Sequence, residues 1–145
     1  MFFLPEGATI LLVIDTNRIM AGLLRLSTTR KIILNDNFSF YAPDYIETEL
    51  TKHREYLMKK AMLNESDFAT ILHMLLDKVH LVPFEEFGPE YSRALHVMEP
   101  IDVDDTSFLA VGLALHLDGI WTEDRHFLRQ DLMKVFRTSD LIQLI

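Results

Sequence analysis

The sequence predicts an α/β fold: a central parallel sheet of four to five short strands with helices on both faces. Three observations carry this. Short apolar runs bounded by turn signals recur along the chain. Between them the apolar period changes to the three-to-four spacing of a helix. Strands that alternate with helices in this way are joined by right-handed crossovers, which make the sheet mostly parallel and cover both of its faces.

The first run, Thr9 to Ile14, reads as a short buried strand. Arg18 to Leu34 reads as one or two helices, with a break near Ser27-Thr28-Thr29, where hydroxyls can cap a new start. Phe38 to Tyr41 is a second strand, and Pro43 and Asp44 open a helix running to about Lys60. The helix from Ser66 carries one apolar stripe, Phe68, Ile71, Leu72, Leu75 and Leu76, which reads as core rather than cofactor contact. A strand at Leu81 to Phe84 follows, and Gly88-Pro89 starts a helix to about Val97. The cluster Asp102 to Asp105 leads into the apolar helix Phe108 to Leu117. Strands at Gly119 to Thr122 and Lys134 to Arg137 and a helical turn after Ser139 complete the chain.

At 145 residues the expectation is one domain, 1–145, able to bury about two thirds of its unfolded surface. Hydrophobic residues at 49% and charged residues at 25% place it in the globular range, away from disorder. The absence of cysteine excludes disulfides, thiolate zinc sites and cysteine nucleophiles, and makes the cytoplasm the simplest compartment. The opening Met1-Phe2-Phe3-Leu4-Pro5-Glu6-Gly7 lacks the basic region of a signal peptide, and the longest apolar run, Ile10 to Ile14, is too short to cross a bilayer. A soluble protein with no membrane partner is expected. The net charge of -8 opposes general attraction to a polyanion. A nucleic-acid role therefore needs cations bound in an acidic cluster, or basic patches such as Lys52, His53, Arg54, Lys59 and Lys60, or Arg125, His126 and Arg129. Both patches read equally well as solvated helix faces. Lys52, Arg54 and Arg125 are the substrate-contact candidates.

In an open parallel sheet, ligands bind beyond the carboxyl ends of the strands, at the point where strand order reverses. Asp15 directly follows the first strand, and Asp124 lies two residues past Thr122, at the end of Gly119 to Thr122. Glu49 sits about one and a half turns into the helix after Pro43-Asp44. Glu47 is rotated from it by about 200 degrees, and the stripe Ile46, Leu50, Leu57 favours Glu49 as the inward member. Asp102, Asp104 and Asp105 precede the helix that feeds the Trp121 strand, at the same edge of the sheet. Each acid also has a bland reading, as a helix cap, a turn residue or a surface side chain. Their convergence is what points to chemistry. Two carboxylates about 5 Å apart repel by about 3 kcal/mol at an effective dielectric of 20, so four need a cation. Oxygen-only ligation suits Mg²⁺ or Mn²⁺, and water activated beside such an ion hydrolyses phosphodiesters.

These residues give the chain a resemblance to the PIN-domain family of ribonucleases over nearly its whole length. Its motifs are similar to Ile14-Asp15-Thr16-Asn17, to Glu49-Leu50 after Tyr41-Ala42-Pro43, to Asp105-Thr106-Ser107-Phe108-Leu109-Ala110, and to Trp121-Thr122-Glu123-Asp124, the last being the most specific. The resemblance implies a Mg²⁺- or Mn²⁺-dependent endoribonuclease with Asp15, Glu49, Asp105 and Asp124 as the acidic set. Asp104 is a further candidate ligand, and Asn17, Thr122 and Asp102 are supporting polar residues around the ligands. Asp102 and Asp104 crowd the third motif, so either shares or replaces the role of Asp105. Gly112 stands where the family more often has alanine. The resemblance also implies an RNA substrate, and for small members a homodimer and a toxin neutralised by a cognate antitoxin.

Two rival readings fit the sequence less well. A receiver-like phosphoacceptor needs an adjacent acidic pair after the first strand, an acceptor aspartate ending a later central strand and a lysine ending the last strand, none of which is in place. A degenerate scaffold that binds RNA or protein without cutting is opposed by retention of all four acids. The six histidines, His73 and His116 among them, show no paired zinc-ligand spacing, and there is no Gly-rich phosphate loop or serine elbow.

Overall fold

The computed structural model describes residues 7–24 and 27–145. Residues 1–6, on which the reading of the chain's opening rests, and Arg25 and Leu26 within the expected Arg18 to Leu34 span lie outside the described residues. Five parallel strands, β1 (Ile10–Ile14), β2 (Phe38–Pro43), β3 (Val79–Val82), β4 (Gly119–Trp121) and β5 (Val135–Phe136), form a sheet in the order β3-β2-β1-β4-β5. The first turn of direction therefore falls between β1 and β4, because the chain leaves β3 at one edge and crosses back to the far side of β1.

The helices are α1 (Thr16–Leu24), α2 (Thr28–Ile33), α3 (Ile46–Lys52), α4 (Arg54–Ala61), α5 (Glu65–Leu76), α6 (Phe84–Phe87), α7 (Tyr91–Met98), α8 (Thr106–Ala114) and α9 (Thr138–Ile142). Helix α1 packs against α2, α3, α4 and α5, whereas α8 packs against α6, α7 and strands β1, β2 and β4. With right-handed crossovers, the reversal of strand order puts these two groups on opposite faces. The central strands are accordingly apolar on both sides: Leu12, Val13 and Ile14 of β1 and Ile120 and Trp121 of β4 are all fully buried. Trp121 still satisfies its indole N–H, which donates to Thr138 Oγ1 at 3.1 Å.

The expected break after α1 is present, with the Ser27 hydroxyl accepting the Arg30 N–H. Arg30 Nε in turn donates to the Gly22 carbonyl at 2.7 Å, tying α2 to the last turn of α1. Other boundaries differ from expectation. The helix expected from Pro43-Asp44 to Lys60 is two helices, separated at His53, whose backbone leaves the helical region. The third strand begins at Val79 and ends at Val82 because Pro83, which lacks an N–H, takes extended backbone angles and leads into α6. Gly88-Pro89 forms a short 3₁₀ turn before α7. Helix α8 starts two residues early, at Thr106, and stops at Ala114. His116 adopts a left-handed φ of 53°, and the Leu117 N–H closes onto the Gly112 carbonyl at 3.0 Å. Among the described residues no helix is long and apolar enough to cross a membrane.

Gly119, which opens β4, is fixed by its neighbours. A Cβ there would lie 2.6 Å from the Lys134 carbonyl oxygen and 2.6 Å from the Phe136 ring, and neither a ladder carbonyl nor a buried ring can retreat. Gly119→Ala is therefore expected to lower stability by about 1–3 kcal/mol, read as the midpoint of urea unfolding, since overpacking costs that much in a filled core. An unchanged midpoint would show that β5 can shift away.

Candidate metal centre

The register of β1 against β4 sets the site. Ile14 pairs with Trp121, and one step on the Asp15 N–H donates to the Trp121 carbonyl at 3.2 Å, bringing Asp15 alongside Thr122. The fully buried Thr122 hydroxyl donates to Asp15 Oδ2 at 2.7 Å and accepts the Asp124 N–H at 2.9 Å. A hydroxyl has one proton and two lone pairs, so this one group orients the Asp15 carboxylate and holds the backbone of Asp124. The other Asp15 oxygen accepts the Asn17 N–H at 3.2 Å and caps α1. Capping and pocket duty thus coexist in one side chain. Burial raises the Asp15 carboxyl above its ordinary value, the hydrogen bonds from Thr122 and Asn17 oppose the rise, and the charge of Asp124 adds to it.

Asp102, Asp105 and Asp124 gather beside it. Asp102 Oδ1 accepts the Asp104 N–H at 3.0 Å and caps the 3₁₀ turn Val103–Asp105. Asp124 Oδ1 accepts the His126 N–H at 2.9 Å and caps the 3₁₀ turn Arg125–Arg129. Asp105 holds the N-cap position of α8 yet makes no capping hydrogen bond, and its Oδ2 is buried with no hydrogen-bond partner. An orphaned buried carboxylate oxygen is costly and calls for an explanation. Burial, followed by the charges of Asp102, Asp124 and Asp15, pushes the Asp105 carboxyl up to about 7, with His126 partly opposing.

An open pocket of roughly 500 Å³ adjoins the cluster, lined by Asp15, Asn17, Glu49, Asp104 and Asp105, with Tyr45, His53 and Phe108 among its walls. Glu49 is half-buried and lines it, while the exposed Glu47 lines shallow grooves elsewhere on the surface. The Tyr45 ring stands edge-on to Phe108, with centroids 6.1 Å apart. Burial pushes its phenol up to about 12, helped by the nearby Glu49, Asp105 and Asp104 charges.

The tightest ligand group differs in membership from the sequence expectation. Asp102, Asp105, Asp124 and His126 offer atoms within 4.8 Å of one another. Asp102, expected as a supporting residue, is in this group, and Asp104, expected as a ligand, is exposed on the pocket rim. Asp15 and Glu49 face the adjoining pocket. Carboxylates grouped around an unpaired oxygen are a donor set that fits a hard divalent cation. Sequence reasoning placed His126 in a basic patch and did not single out Arg18. The signal for His126 was its position two residues after Asp124, where an aspartate cap takes the N–H and turns the side chain back. Arg18, on the first turn of α1, lowers both Asp15 and Glu123 through its charge, and its Nε is buried without a hydrogen-bond partner among the described residues. Of the substrate-contact candidates, Arg54 is bound to Glu65 at 2.6 Å, Lys52 lines a groove with Glu47, Thr48 and Thr51, and Arg125 is exposed between Asp124 and His126.

Against known families, the pattern described as a PIN domain matches residues 13–139. No curated protein matches the chain.

The Asp105 shift has a stability consequence. Its folded-state value of about 7 lies above the ordinary 3.8, so in the metal-free protein the folded state holds the proton more tightly than the unfolded state. Below about pH 4 both states are protonated and the group costs nothing; the cost grows as pH rises through that interval and is complete above about pH 7. Asp105→Asn is thus expected to raise the Tm of metal-free protein near pH 8 and to leave it nearly unchanged near pH 4, each kcal/mol being worth roughly 2–4 °C. Thermal unfolding followed by circular dichroism at both pH values checks this, and the same change in Tm at each would contradict it.

Proposed function

The chain belongs to the PIN-domain family, whose members are generally nucleases, and on that footing we propose that it is a divalent-metal-dependent endoribonuclease. The observation that carries this reading is the buried, unpartnered Oδ2 of Asp105, grouped with Asp102 and Asp124 from two parts of the chain and close enough to Asp15 to feel its charge. In this reading Asp15, Glu49, Asp105 and Asp124 are the acidic set, with Asp104 at the rim, Asp102 beside His126, and Asn17 and Thr122 as orienting groups. A bound Mg²⁺ or Mn²⁺ supplies charge neutralisation at the scissile phosphate and acidifies the attacking water.

The protein's own residues supply positioning. Thr122 fixes the Asp15 carboxylate relative to the Asp124 backbone, and the His126 N–H holds Asp124 Oδ1, so each carboxylate is oriented before substrate arrives. Burial and the neighbouring carboxylates push the Asp105 carboxyl up to about 7, and a cation bound beside it would favour its charged form. Tyr45, Phe108 and His53 give the pocket aromatic walls against which a base from single-stranded RNA can stack. With a net charge of -8, general attraction to the polyanion is weak, which leaves phosphate contact to the bound cation and to local groups such as Arg125 and Lys52. A homodimer and a cognate antitoxin belong to the same reading as implications of the family resemblance, and a cytoplasmic location accords with the absence of cysteine.

The test is incubation of purified protein with single-stranded and structured RNAs in Mg²⁺, Mn²⁺ or EDTA. Cleavage is expected with either ion, none with EDTA, and a loss of roughly 100-fold or more in Asp15→Asn and in Asp124→Asn. Cleavage that persists in EDTA or survives both substitutions would overturn the mechanism.

A further inference from the structure

The imidazole of His126 stands where an all-carboxylate site would have none. Its Nδ1 lies 3.1 Å from Asp102 Oδ2, 3.3 Å from Asp124 Oδ1 and 4.0 Å from Asp105 Oδ2. The ring is not held there by chance packing of a long side chain. The His126 N–H is already bonded to Asp124 Oδ1, so the backbone of the 3₁₀ turn delivers a side chain with two rotatable bonds to the carboxylates. These separations also suit donors that share one ion. Bonds of about 2.1 Å in an octahedral shell put neighbouring donors about 3.0 Å apart and opposite donors about 4.2 Å apart; the three distances from His126 fall within that interval, and the four ligand atoms lie within 4.8 Å of one another. The nearby Asp105 Oδ2, buried and unpartnered, supplies an acceptor with no competing hydrogen bond.

We propose that His126 is a nitrogen ligand of the divalent ion in this centre, together with Asp102, Asp105 and Asp124, and that it biases the centre toward Mn²⁺ over Mg²⁺. The inference rests on the metal-dependent reading above. Mg²⁺ is a hard, strongly hydrated ion that an oxygen set satisfies, whereas imidazole adds affinity for first-row transition ions. A ring that served only as a counter-charge to the carboxylates would compete with both ions alike. The ligand and counter-charge roles therefore predict different selectivities.

The full chain is titrated with MgCl₂ and with MnCl₂ by calorimetry, as wild type, His126→Ala, His126→Gln and Asp124→Asn. In addition, the Mn²⁺-loaded proteins are compared by electron spin echo envelope modulation, which detects directly bound imidazole nitrogen. Wild type is expected to bind Mn²⁺ more tightly than Mg²⁺ and to show the nitrogen signal. Both His126 variants are expected to lose Mn²⁺ affinity by at least about 10-fold, with a much smaller change for Mg²⁺, and to lose that signal, because even groups that only orient a ligand are worth this much. Asp124→Asn should weaken both ions. His126 is half-exposed on a surface turn, so its variants are expected to fold, which circular dichroism verifies. Unchanged or tighter binding of both ions in the His126 variants, an equal loss for both, or a nitrogen signal that survives would overturn the role of His126 and leave the metal-dependent reading standing. A wild type that binds neither ion would overturn both.

Discussion

The hydroxyl of Thr122 is the point on which the site depends. It lies where the chain's strand order turns back on itself, between β1 and β4, and it is fully buried there. Parallel pairing brings Asp15 and Thr122 side by side, and one short hydrogen bond then fixes the Asp15 carboxylate while another fixes the backbone from which Asp124 departs. The Asp15 charge is thus fixed by the pairing of β1 with β4, and the backbone that carries Asp124 is tied to the same hydroxyl. Without that constraint the carboxylates would separate into solvent, where their repulsion costs least.

The surrounding acids divide by how their oxygens are used. Asp15, Asp102 and Asp124 each give one oxygen to a backbone N–H as a cap, so their structural and chemical readings hold together. Asp105 differs: it occupies a cap position but accepts no backbone N–H there, and one of its oxygens is left buried and unpaired. Its carboxyl is accordingly pushed furthest, to about 7. In a stable fold, a cost left uncompensated by the protein marks the place where something else completes the interaction.

What the sequence made legible followed from period and position. Asp15 and Asp124 were readable because strand ends are marked by the loss of apolar character and parallel strands present their carboxyl ends together. Glu49 was readable from the 3.6-residue period, and it does line the pocket while Glu47 does not. The different placements of Asp102, Asp104 and Asp105 were not readable, because these residues cap or form a 3₁₀ turn whose tighter winding alters which side chains share a face. His126 was read as part of a basic patch because its approach to Asp102 depends on a second 3₁₀ turn and a contact across 24 residues. The break at His53 likewise has no glycine or proline to announce it. The start of β3 was misplaced because an edge strand with an exposed His80 lacks the continuous apolar run of a central one.

The central claim is that these carboxylates, held by a rigid register, form a divalent cation site. Diffraction from crystals grown with Mn²⁺, collected at a wavelength where manganese scatters anomalously, tests it most directly. The account predicts an anomalous peak between Asp102, Asp105 and Asp124, at bonding distance from Asp105 Oδ2, with the hydrogen bond from Thr122 to Asp15 unchanged. Ordered carboxylates with no peak among them at millimolar Mn²⁺, or a peak bound elsewhere with Asp105 still unpaired, would contradict it.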